Sequence, residues 1–425
     1  MITFRSMIFR SMIFVLVFMA VYALAQPAAL STLGIDADRA NIPVGEILSG
    51  GPPPQGIPAL SFSGDWTGSV PAGRQASYVS QEEASEWLEP QEPVIAMNIG
   101  SEARAYPLQI LTWHEIANDT LAGVPVAVTF CPLCNSALAF DRRVPVADNA
   151  LTDVQAFNSD VTTVALDDDF VAAYERQTGS VPAEQAIPVT FGVSGLLYNS
   201  NLLMFDSDTS TLWSQLLGEG NIGTLTDTEL LRYPAQIVSF AEFQEAFPEG
   251  DVLSRDTGYS RGYGRNPYVG YDDIDSPAFL FRGETDGRLP PKERVISVVQ
   301  GDTSVAYPFS ELAQARVIHD QIADTPVVVF WQEGTTSALD QAVIAESTDV
   351  GGAGIFSREV AGRVLDFAWN DETFIDEQTG STWNLLGQAV AGELEGNQLT
   401  PVVHDNTLWF AWAAFKPDTR IYTVE

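Results

Sequence analysis

The sequence predicts a β-rich α+β protein made of two homologous halves packed with approximate two-fold pseudo-symmetry. Three observations predict it. Aligned with itself, the 425-residue chain matches without gaps at an offset of 201, Val94–Leu138 onto Val295–Leu339, with 15 identities in 45 positions, the signature of a repeated unit. A second block follows. Asp206, Thr209 and Trp213 match Asp376, Thr379 and Trp383 at an offset of 170, and Phe240, Phe243 and Pro248 match Trp409, Trp412 and Pro417 at 169. Within each half, short β-type runs alternate with turn residues and only brief stretches keep helical spacing.

Residues 1–25 read as a secretory leader: Arg5 and Arg10 precede the apolar Met12–Val21 and the small-residue site Ala23-Leu24-Ala25. A secreted or periplasmic product is expected, with no membrane attachment after cleavage, because no later stretch approaches the ~20 apolar residues of a spanning helix. Residues 26–92 hold Gly50-Gly51-Pro52-Pro53-Pro54 and Trp66 and are expected to wrap over the surface. The first repeat, 93–255, opens with a strand at Val94–Ile99 and an extended Arg104-Ala105-Tyr106. A helix is expected from Leu108 to about Ala117, where Ile110, Trp113 and Ala117 share a face. A buried-type strand follows at Pro125–Phe130, then β-rich sequence at Val189–Asp206 and a late helix begun by the capping box Ser239 and Glu242. The change of offset from 201 to 170 gives this half 31 extra residues, in the acidic stretch after Arg143. A connector rich in Tyr, Gly, Pro and Arg spans 256–293, and connectors of this length are commonly functional. The second repeat is 294–425.

Without its leader the chain has 19 basic and 56 acidic residues, a net charge of −37. Such a surface repels nucleic acid and anionic membranes, so the implied partner is a metal ion or a small molecule. Two cysteines are too few for a disulfide scaffold and suffice for one bridge or one site.

Those cysteines lie in Thr129-Phe130-Cys131-Pro132-Leu133-Cys134, and the second half has Gln332 and Thr335 in their places. It also has Gln314 for Trp113, Ala315 for His114 and Arg316 for Glu115, so the chemistry is expected in the first half alone. Three readings stand side by side. Cys131 and Cys134 can be metal ligands with His114 and Glu115, a set suited to Cu or Zn; a thiol–disulfide redox pair; or a structural disulfide stiffening a cleft. His114 and Asn118, four apart on the expected helix, would share a face, making Asn118 an orienting neighbour. The connector residues Arg261, Tyr263 and Tyr268, with Trp113, are candidates to line a binding cleft.

Other patterns are weaker. Gly192-Val193-Ser194-Gly195 misses the hydrolase elbow by one residue. Asp206 and Thr209, kept as Asp376 and Thr379, fit a side-chain-capped turn before a buried tryptophan. Asp119, kept as Asp320, is expected to be a structural cap or turn residue, and Gln332 and Thr335 to be exchangeable surface positions.

Several of these segments together resemble an exported bacterial and archaeal family catalogued as domain of unknown function number three-one-seven-nine. They are Gly50-Gly51-Pro52-Pro53 with Gly56-Ile57-Pro58-Ala59, Arg104-Ala105-Tyr106-Pro107, Trp113-His114-Glu115 with Asn118-Asp119, Thr129–Cys134, Phe191–Gly195, Leu212-Trp213-Ser214-Gln215 and Asn266-Pro267-Tyr268. The acidic stretch after the cysteines departs from the family pattern. The resemblance implies export and a central cysteine segment; it implies no activity.

Overall fold

The computed structural model describes residues 30–63 and 75–424, so the leader and Trp66 lie outside the described residues. The described chain is β-rich, with few and short helices and many small sheets. No described helix is long and apolar enough to cross a membrane.

The N-terminal segment contributes β1 (Leu48–Ser49). Next come β2 (Pro93–Ile99), β3 (Glu102–Pro107), α1 (Leu108–His114), β4 (Ile116–Leu121), β5 (Val124–Cys131) and β6 (Ser136–Asp141). The α1 helix stops three residues short of the expected end. Glu115 takes φ 58°, which breaks the helical run, and Ile116 and Ala117 go into β4 paired with Thr129 and Val128. The inserted acidic stretch forms helices, the second of which is α2 (Asp168–Thr178). A four-stranded meander follows: β7 (Phe191–Tyr198), β8 (Asn201–Asp206), β9 (Thr211–Ser214) and β10 (Glu219–Gly223), with β1 on its open edge. The half ends with β11 (Arg232–Tyr233), β12 (Gln236–Ser239), α3 (Phe240–Ala246) and β13 (Asp251–Leu253). As expected, Ser239 and Glu242 cap α3 reciprocally.

The second half runs β14 (Arg294–Gln300), β15 (Thr303–Pro308), α4 (Phe309–Ala315), β16 (Val317–Ile322), β17 (Thr325–Gln332), β18 (Gly352–Ser357), β19 (Phe367–Asn370), β20 (Thr373–Asp376), β21 (Thr382–Trp383), β22 (Ala389–Ala391), β23 (Asp405–Leu408), α5 (Trp409–Phe415) and β24 (Arg420–Ile421). The sheet order β12-β2-β3-β13 has its counterpart in β23-β14-β15-β24. In both, the last strand joins in parallel.

Buried side-chain hydrogen bonds brace the turns of the meanders and join them to the neighbouring sheets. Asp206 accepts from the Thr209 backbone and hydroxyl and from the Trp213 indole at 2.7 Å; Asp376 does the same for Thr379 and for Trp383 at 3.0 Å. Asp119, a strand residue rather than a cap, receives Tyr106 and Arg104, as Asp320 receives Tyr307 and Arg420. The Phe191 N–H donates to Asn118 Oδ1 at 2.8 Å, and the matching Phe367 N–H to His319 Nε2 at 2.9 Å. The motif Gly50–Gly56 lies along β7, with Gln55 N–H on the Val193 carbonyl at 2.8 Å. Gly195 is required there because, at φ 74°, a Cβ would sit 2.4 Å from the Pro52 carbonyl oxygen. Ser194 is fully buried in a β-bulge and bonded to the Leu203 carbonyl, a structural role that leaves no nucleophile.

Candidate functional site

Cys131 and Cys134 sit at the tip of the β5–β6 hairpin. Cys131 pairs with Ser136, and the four-residue turn closes with the Cys134 N–H on the Cys131 carbonyl at 3.1 Å and Asn135 at φ 51°. The motif is therefore a sheet turn, with no helix start to polarise the first thiol. Both are free thiols, at 2% and 0% exposure.

Polar groups surround the sulfurs. The Cys134 thiol faces the Ser200 carbonyl at 3.5 Å and receives Asn201 Nδ2 at 3.6 Å. Asn201 is itself fixed by Ser214, the Leu216 N–H and Gln215, and Gln215 reaches Thr129. Leu212–Gln215 thus packs Trp213 and aims Asn201 at the sulfur. Burial pushes both thiols up. At Cys131, hydrogen bonds from the Cys134 side chain and from the backbone at Leu202, Cys134 and Leu133 outweigh burial and hold the pKa below the ordinary thiol value. Cys134, whose S–H faces the Ser200 carbonyl, stays well above it, raised by burial and by the neighbouring Cys131.

The third member is Glu115. Its left-handed backbone at the end of α1 is fixed by two bonds, its N–H to the Leu111 carbonyl at 2.7 Å and its carbonyl from the Phe130 N–H at 2.8 Å. The carboxyl is 8% exposed; burial raises its pKa well above the carboxylate range, and the charge on Cys131 raises it further. Arg316 keeps the same unusual backbone, φ 63°, and pairs with Glu333 in the β17 turn. The fold supplies the strained position in both halves, and the first half alone puts an acid there beside a thiol.

The connector lies over this cluster. Tyr268 is half-buried; burial raises its phenol pKa, and the charges of Glu115 and Cys131 raise it further. Tyr271 donates to the Leu133 carbonyl at 2.9 Å. Lys292, 2% exposed, holds the strap through the Tyr271 carbonyl and Ser276, its ammonium 3.3 Å over the Tyr271 ring. Burial draws its pKa down to about 8.

His114 belongs to a second cluster. Burial lowers its pKa to about 4, so the ring is neutral at pH 7. Nδ1–H donates to the Pro58 carbonyl at 2.7 Å, which leaves Nε2 to accept from Tyr263 OH at 2.6 Å, and Tyr263 is joined to Thr257. Both ring nitrogens are thus committed away from the sulfurs. Trp113 donates to the Arg265 carbonyl at 3.1 Å, and the exposed Arg261 reaches Gly56. Asn118 is in β4, not on the helix, and its amide clamps Leu60 and Phe191 rather than orienting His114. Among the described residues no group of three or more His, Cys, Asp or Glu is placed to hold a metal ion.

Of the residues singled out in the sequence, Cys131, Cys134, Glu115 and Tyr268 lie together, His114 is held in a separate cluster, and Asn201, Gln215, Tyr271 and Lys292 were not singled out. Gln215 was detectable: its counterpart at offset 170 is Leu385, the same loss of polarity that singles out the cysteines. Gln332 and Thr335 are not surface positions. Gln332 is half-buried and Thr335 1% exposed, and both donate to Glu242, the cap of α3.

Fold and site define a β-rich protein with a buried dithiol hairpin backed by a buried acid. The chain belongs to the family described as Protein of unknown function (DUF3179), whose profile matches residues 56–419. No curated protein and no solved structure matches it.

Proposed function

We propose that this is an exported thiol–disulfide exchange protein, built by duplication, in which the first half carries the chemistry and the second serves as scaffold. The observation that carries the reading is a pair of buried free thiols that face one carbonyl, Ser200, at 3.9 and 3.5 Å, with the buried Glu115 held by the Phe130 N–H next to Cys131. That arrangement separates the two thiols into an attacking thiolate and a resolving thiol. The duplication is supported by the matching strand orders and by registers that differ by the sequence offset: Val94 pairs with Pro107 and Val295 with Pro308. Cross-packing supports the two-fold relation, since β6 packs on β23 and β18 on β12. Export is supported by the basic and apolar pattern of residues 1–25.

The reaction balances with a disulfide as oxidant. The Cys131 thiolate attacks one substrate sulfur, forming a mixed disulfide and expelling the other sulfur as a thiolate, which takes a proton. As Cys131 loses its negative charge the Glu115 pKa falls, so its carboxyl can supply the proton that this leaving group takes. Cys134 then attacks the Cys131 sulfur, its proton passing to the Glu115 carboxylate and restoring the acid. The second substrate thiolate leaves, and two electrons have passed from the dithiol to the substrate. The strap of Tyr268 and Tyr271 must move for a substrate sulfur to reach Cys131.

Copper or zinc on the same two sulfurs is the second reading, supported by the two free thiols at one hairpin tip; a third donor would have to move in, and His114 would join only by leaving Pro58 and Tyr263. One experiment separates them. Reduced Cys134→Ser protein is mixed with an aromatic disulfide reagent, alongside metal analysis of untreated protein. A stable mixed disulfide at Cys131, absent in Cys131→Ser, supports exchange. Stoichiometric metal with no mixed disulfide supports the metal site.

A further inference from the structure

A cavity of about 420 Å³ lies apart from the cysteine strap, between the end of α2 and the second half. Its size falls in the range of small-molecule sites. One wall is Arg176 and Gln177 of α2, another is Arg232 of β11, and the third is His404 and Asp405 at the start of β23, with Lys416 at the end of α5.

The key groups here are additions to the repeat. β12 and β23 hold the same register, Gln236 opposite Ala96 and Asp405 opposite Ser297. Asp405 therefore replaces Gln236, and His404 replaces Ala235. The acidic insertion, which the second half lacks, makes the remaining wall. Gln177 accepts from the Arg232 N–H at 2.8 Å and donates to the Leu230 carbonyl at 2.9 Å, while Tyr174 donates to the Glu229 carbonyl at 3.2 Å. The insertion thus buttresses the strand that presents Arg232.

The lining carries both signs of charge. Arg232 Nη2 is spent on the Leu216 and Leu217 carbonyls, and its charge is offset by Glu229 and, once it ionises, by Asp405. A cation held by carbonyls in a closed site gains from an incoming carboxylate. Lys416 and Arg176 add positive charge on the rim. His404 commits Nδ1 to the Val402 carbonyl at 2.7 Å, which leaves Nε2 as an acceptor, and Glu219 and Glu229 also line the cavity. These acceptors suit an ammonium group.

We propose that this cavity binds a small zwitterion of the amino-acid or dipeptide class, its carboxylate on Arg232 and Lys416 and its ammonium toward Glu219, Glu229 and His404. None of the proposed ligand contacts is a dithiol residue, although β23 touches both places, through Asp405 in the cavity wall and Thr407 on the Cys134 carbonyl. The site is tested by calorimetry on the full chain with a set of free L-amino acids and glycyl-glycine, each compared with its N-acetyl and amide derivatives. One-site saturable binding is expected for at least one of them, weakened about tenfold or more when either charge is blocked, because each removes a charge-assisted hydrogen bond. Arg232→Gln should weaken it similarly. Lys416→Ala, at a half-buried helix end, should do so without disturbing the core, and Cys131→Ser should leave it unchanged. The proposal is overturned if no amino acid or dipeptide binds, if the amide or N-acetyl form binds equally well, or if Lys416→Ala and Arg232→Gln both leave the affinity intact.

Discussion

Replacing Asp405 by asparagine should remove a pH dependence of stability that the wild-type fold carries. Asp405 is 2% exposed, and its two oxygens each accept from Ser136 Oγ at 3.0 Å. Burial pushes its pKa up to about 7 from 3.8, against the opposing pull of Ser136 and Arg232. Between those values the folded chain holds a proton that the unfolded chain has lost. The protonated acid therefore stabilises the fold fully below about pH 4, and that contribution is lost as pH rises through 7. The slope is about 1.4 kcal/mol per pH unit, so the passage from pH 5 to pH 8 costs the wild type about 3 kcal/mol from this residue. Asparagine keeps the shape and one acceptor and does not titrate. Urea unfolding followed by tryptophan fluorescence at pH 5, 6, 7 and 8 reads the difference, since other groups cancel between the two proteins. The variant should gain on the wild type by about 3 kcal/mol over that range. Parallel profiles, or a variant that loses ground at pH 8, would refute the assignment of a buried, protonated Asp405.

Trp383→Ala should cost ~3–5 kcal/mol, because the ring is 1% exposed and meets Phe367 edge-on at 5.7 Å; thiol reactivity of the refolded protein should be unchanged. Thr335→Val should cost about 1 kcal/mol in urea unfolding, the worth of one hydrogen bond, because Glu242 loses the donor at 3.2 Å. Glu115→Gln should be at least as stable as wild type at pH 7, with a gap that widens as pH rises, since the folded acid is held protonated. In the same variant the pH profile of Cys131 alkylation by a small reagent should lose the ionisation contributed by Glu115; an unchanged profile would detach Glu115 from the sulfur.

The strands were legible because their apolar runs have one reading: Val94–Met97 and Val126–Phe130 are buried on both faces. The cap at Ser239 was legible because it is local. The end of α1 was not. Ile116 and Ala117 continue the helical spacing, and only the tertiary pairing of β4 with β5 and the left-handed Glu115 turn them into a strand. The same error placed Asn118 beside His114. Comparison of the halves picked out Cys131, Cys134 and Glu115, because the loss of chemistry shows in residue type. It misjudged Gln332 and Thr335, since a polar residue in a buried hydrogen bond looks in sequence like a polar residue in water. Asn201 and Lys292 act through contacts across 67 and 21 residues of chain, to Cys134 and to Tyr271, and no local pattern announces them.

The most direct test of the dithiol account is a redox titration of wild-type protein in glutathione buffers, with the Cys131–Cys134 state read by differential alkylation and mass spectrometry. One two-electron transition between dithiol and intramolecular disulfide is expected, at a potential roughly between −300 and −120 mV, and it should be lost in Cys131→Ser. Two thiols that stay reduced at every poise, or a transition that appears only after a bound metal is removed, would contradict it.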